Sequence, residues 1–87
     1  NEADQKEIKS LETQLEKEDE VEDVGVLIEN MARKNKIPVG DLDRQPDEAT
    51  DKYVARLNEA LKMIGSKKNI KHRKVHGKTD NNVQLVV

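Results

Sequence analysis

The sequence has no cysteine, phenylalanine or tryptophan, and only one tyrosine, two prolines and four glycines in 87 residues. Without cysteine there is no disulfide, and thiolate zinc sites are excluded with it. Without large aromatic side chains the means of filling a core shrink. A chain of this size buries only about 60–65 per cent of its unfolded surface even when compact. Short chains that lack such staples ordinarily rely on a partner, so self-association is the expected remedy. No apolar run approaches the length of a membrane span, and no charged-then-apolar leader marks secretion. The expected location is therefore intracellular, in the host cytoplasm if the source is viral. The chain opens on Asn1 rather than methionine, which leads us to expect a fragment or processed product whose upstream activity would not show.

What is present is charge: 39 per cent of the residues are Asp, Glu, Lys or Arg, summing to a net charge of only −2. That sum hides an asymmetry. Residues 1–23 hold ten acids and three lysines, a balance of −7, whereas Lys62, Lys67, Lys68, Lys71, Arg73, Lys74 and Lys78 follow one another without an acid between Met63 and Lys78. Such ends imply contact with something anionic, or contact between the acidic end of one copy and the basic end of the next.

Apolar periodicity organises the rest. Ile8, Leu11 and Leu15 recur at helical spacing; the seam fails at Glu18 and Glu22, then restarts one residue early with Val21, Val24, Ile28 and Met31. This phase slip fits either an overwound point in one helix or a break within the acidic stretch Glu16 to Asp23. A continuous or gently bent helix over about residues 3–35 is the favoured reading, with Gly25 a second weak point at about 1 kcal/mol against Ala. Arg33, Lys34 and Lys36 followed by Pro38 predict its end.

A connection, IPVGDLDRQP, leads to a second helix over about 46–64, opened by Pro46 and Asp47 and closed by Gly65. Its seam is Val54, Leu57, Leu61 and Ile64, and Tyr53 reads as a packing residue whose hydroxyl reaches water. Residues 66–80 read as a basic linker. Over residues 81–87, Val83, Leu85 and Val87 alternate as a terminal strand, which is expected to pair with another copy because one strand cannot stand alone. The fold class expected is thus mainly α: a coiled-coil or helical-hairpin oligomerisation region over residues 1–65, a basic linker and a short C-terminal β-strand. Both seams would form the oligomer interface.

Few residues offer chemistry. His72 and His76, four apart, would share one face of a helix, but a metal site needs further ligands and none is near in sequence. Two exposed histidines in a basic stretch is the plainer reading, and no metal or cofactor is expected. Asp41, Asp43, Asp47, Glu48 and Asp51 suggest a calcium loop until the count is made. The sixth and twelfth positions, which need Gly and Glu, hold Pro46 and Lys52, so helix-start acids are preferred. Gly65-Ser66-Lys67-Lys68 lacks the strand and preceding glycine of a phosphate loop, and no hydroxyl sits in a nucleophile elbow. No enzymatic activity is expected.

The basic segment is the best functional candidate. Each of its seven cations can neutralise a phosphate, and with no aromatic ring to stack on bases the contact should be to the double-stranded DNA backbone and blind to sequence. A flexible, solubilising linker is the alternative.

Two helices followed by ALKMIGSKKN, a basic stretch and a short TDNNVQLVV strand resemble in layout, over Asp47 to Val87, the back half of small terminase subunits of tailed bacteriophages. That resemblance implies a helical-hairpin core that assembles into rings, a part in viral DNA packaging, and a tail that engages a larger protein subunit. No individual residue role comes with it, and the helix-turn-helix of that family is not recognisable here. The expected function is a non-enzymatic homo-oligomeric assembly module associated with nucleic acid. The alternative is a coiled-coil adaptor that folds on a different partner chain.

Overall fold

The computed structural model describes residues 2–18, 20–75 and 78–86, with side chains for 6–18, 20–72 and 82–86. Among these residues the chain forms three helices, α1 (Glu2–Lys17), α2 (Val21–Lys34) and α3 (Thr50–Met63), then strands β1 (Asn69–Val75) and β2 (Lys78–Val86). The mainly helical class is as expected. The radius of gyration, 12.6 Å, lies near the roughly 12 Å of a compact domain of this length.

The long first helix is instead two. Glu16, Glu18, Glu20 and Glu22 crowd like charges at helical spacing, which weakens a helix locally. The break also has a tertiary reward. Glu20 takes extended backbone, φ −86° and ψ 134°, and forms an antiparallel bridge with Asn82 of β2. The non-helical residues reset the phase, so Leu11 and Leu15 of α1 and Val21, Val24 and Ile28 of α2 all enter one buried cluster.

Two helix ends are built alike. At the end of α2, the Lys36 amide donates to the Arg33 carbonyl at 3.2 Å and the Ile37 amide to the Ala32 carbonyl at 2.8 Å. At the end of α3, the Gly65 amide donates to Lys62 at 3.1 Å and the Ser66 amide to Leu61 at 3.0 Å. Both are Schellman caps, which need a left-handed residue just past the helix. Gly65 supplies it at φ +93°, but Lys36 does so at φ +59° with a Cβ in the way.

Residues 35–49 are laced rather than loose. Arg44 donates to Glu22 Oε1 at 3.0 Å, to the Glu48 carbonyl, and to Thr50 Oγ1 at 2.8 Å. Arg56 on α3 donates to Glu48 Oε1 and to the Asp41 carbonyl, each at 2.7 Å. With Glu48 so engaged, Pro46 and Asp47 form a turn and α3 begins only at Thr50, later than the sequence suggested. The Tyr53 hydroxyl does not reach water: Tyr53 is buried and donates to the Leu42 carbonyl. Gly25 makes room for this. A Cβ there would collide with the Tyr53 hydroxyl and lie 3.3 Å from the Leu42 carbonyl oxygen, so the glycine that looks like a weak point is a packing requirement.

The basic linker is a second correction. It supplies β1 and the start of β2, antiparallel within the same chain: Ile70 faces Leu85, His72 faces Val83, and the ladder is irregular between His72 and Lys74. Alternation places Ile70, His72, Val83 and Leu85 on one face; Ile70 and Val83 are buried against the helices. The terminal strand therefore has its partner in this chain, while Val87 lies outside the described residues. Asn58 of α3 fixes β1 from the other side, donating to the Ile70 carbonyl at 2.9 Å and accepting from the Ile70 amide at 2.6 Å.

Candidate nucleic-acid interface

The residues expected at an oligomer interface lie in or against the core of one chain. Leu11, Leu15, Val21, Val24, Ile28, Val54, Leu57, Leu61 and Ile64 are buried and Met31 packs against them, while Ile8 is half-buried. Their burial needs no second copy. The absence of Phe and Trp is met by knitting three helices, a loop residue (Leu42) and the hairpin around one cluster.

The basic residues gather along the end of α3 and the hairpin. Lys62 occupies the last turn of α3, where it suits the helix dipole. Lys67 lies in the connection to β1, and Lys71 on β1 pairs with Gln84 on the face turned away from Ile70. All three side chains are exposed. Lys68 is more covered, at 27 per cent exposure, and pairs with Glu16 at 3.0 Å. Arg73 and Lys74 lie on β1 and Lys78 opens β2; their side chains are outside the described residues. Among the described residues Lys62, Lys67 and Lys71 form no ion pair, as is also true of the exposed Lys6, Lys9, Lys17, Lys36 and Lys52, whereas Arg33, Lys34, Arg44 and Arg56 are each joined to a glutamate.

Two further side chains define the root of the hairpin. Ser66 is buried and its hydroxyl donates to Glu12 Oε2 at 2.7 Å, while the Lys68 amide donates to Ser66 Oγ at 3.2 Å. Glu12 and Glu16 were not singled out in the sequence, where they are two acids among ten. Asn58 carried a weak signal, as a poor helix former on the flank of an apolar seam.

The metal readings gain nothing. His72 lies on a strand, where four residues span about 13 Å rather than one helical turn, and His76 lies outside the described residues. Glu29, Asp41 and Asp43 bring carboxylate oxygens within 4.8 Å of one another, but Arg33 already pairs with Glu29. An open groove of about 230 Å³ between α1 and α2 is lined by mixed residues including Glu7, Leu11, Met31 and Lys34. Tyr53 is the one described residue with a clear pKa displacement, pushed up to about 12 by burial and secondarily by Glu22; its hydroxyl is spent on Leu42. No helix among the described residues is long and apolar enough to cross a membrane.

No known family, curated protein or solved structure matches the chain. Its chemistry is read from its own residues.

Proposed function

We propose that the chain is a non-enzymatic nucleic-acid-binding module that meets the phosphates of duplex DNA through the end of α3 and the basic hairpin. The observation that carries this reading is the clustering of cations: Lys62, Lys67 and Lys71 are exposed and form no ion pair among the described residues, beside or within a segment without an acid from Met63 to Lys78. A two-stranded ribbon also has dimensions that a DNA groove admits.

The exposed residues of α3 include Asp51 and Glu59 beside Lys52 and Lys62, a mixed set that favours backbone contact over base reading.

Duplex binding followed across a salt series tests the proposal. We expect log K to fall linearly with log salt, and the Lys62, Lys67 and Lys71 to Ala triple variant to flatten the slope by about 2.7, at roughly 0.9 per phosphate. Absence of binding at low salt, or a slope indifferent to the triple variant, overturns it.

A further inference from the structure

Resting on that reading, we infer that α1 is an autoinhibitory arm, its Glu12 and Glu16 carboxylates occupying the root of the hairpin in competition with phosphate. The two acids are one turn apart on α1 and so face the same segment. Glu16 Oε1 lies 3.0 Å from Lys68 Nζ, Glu12 Oε2 accepts from Ser66 at 2.7 Å, and Ser66 in turn accepts the Lys68 amide. A carboxylate presents oxygens to a lysine much as a phosphate does. Glu16 thus holds the cation that DNA would otherwise take. Lys68 is the one member of the basic set seen paired among the described residues, and the one drawn back from solvent.

The charge asymmetry along the sequence acquires a purpose. The acidic end meets the basic end within a single copy, and binding DNA requires Lys68 to exchange one anion for another. Glu16 is 55 per cent exposed, so the hold is weak and reversible; exposed pairs of this kind shift an equilibrium by about two- to fivefold.

The experiment compares wild type, Glu16→Gln, Lys68→Gln, the double variant and Glu18→Gln for duplex binding across a salt series. Helical circular dichroism and thermal midpoint confirm that each is folded. Glu18→Gln removes the same charge from the neighbouring stretch and measures the general electrostatic effect. We expect Glu16→Gln to tighten binding about two- to fivefold beyond Glu18→Gln and to steepen the salt slope by about 0.9, one more phosphate contact. That gain should disappear in the Lys68→Gln background. If wild type binds and Glu16→Gln merely matches Glu18→Gln, the arm is overturned while the DNA-binding reading stands. If wild type does not bind at low salt, both readings fall.

Discussion

The helical body and the β-hairpin are held by different forces. In the body, α1, α2 and α3 bury Leu11, Leu15, Val21, Val24, Ile28, Val54, Leu57 and Leu61 together, and two arginines and a tyrosine lock the intervening loop. Among the described residues the hairpin adds Ile70 and Val83 to that cluster, with Leu85 packed against it, and is further held by the side-chain amide of Asn58, the bridge from Asn82 to Glu20 and the contacts of Ser66 and Lys68. Apolar burial scales with area and tolerates adjustment, whereas a few polar anchors either hold or fail. On the proposed reading, it is this polar-anchored basic hairpin on a helical body that would meet an extended polyanion.

The largest effect expected from breaking this contrast lies in the body, at high pH. The Tyr53 pKa is raised to about 12 from 10.0, so the folded state keeps its proton after the unfolded chain has begun to lose it. The Tyr53 contribution is intact below pH about 10 and is lost as pH rises from there to about 12, a total of about 3 kcal/mol. Urea unfolding of wild type and Tyr53→Phe at pH 7 to 11 checks this. The variant should be weaker by about 1–3 kcal/mol at neutral pH, with the Leu42 carbonyl left unpaired, and should show a shallower alkaline decline.

A smaller effect is expected in the hairpin. Asn58→Ala leaves the Ile70 amide and carbonyl without their partner, costing about 1–3 kcal/mol locally. Amide hydrogen exchange should show β1 losing protection while α2 and α3 keep theirs; equal loss everywhere would mean that hairpin and body form one cooperative unit. The smallest effect separates the two helix ends. Lys36→Gly relieves the left-handed strain that Gly65 avoids at the end of α3, and after the entropy of a new glycine the gain should be about 0.5 kcal/mol, or a rise of about 2–4 °C in Tm.

The sequence made the body legible where residues speak to near neighbours. The three- and four-residue spacing of Ile8, Leu11 and Leu15, and of Val54, Leu57, Leu61 and Ile64, marks the inward faces of α1 and α3. What it hid was decided at long range. Glu20 breaks the first helix in favour of a bridge to Asn82, and Arg44 and Arg56 turn a connection into structure by reaching Glu22 and Glu48. β1 was illegible because Ile70 is its one described apolar residue facing the helices, shared with a half-buried His72; its strand character comes from Asn58 and from the apolar face of β2. At the candidate interface the cations were evident from their spacing. The carboxylates that oppose them were not, since Glu12 and Glu16 meet Ser66 and Lys68 across 54 and 52 residues of chain.

Those same separations govern how the molecule comes to be made. During synthesis α1 emerges ahead of the hairpin, so the contacts of Glu12, Glu16 and Glu20 must wait for Ser66, Lys68 and Asn82. Contacts of such long span slow folding relative to a helical bundle of the same size. The hairpin is thus also the clasp whose arrival closes the fold around its first helix.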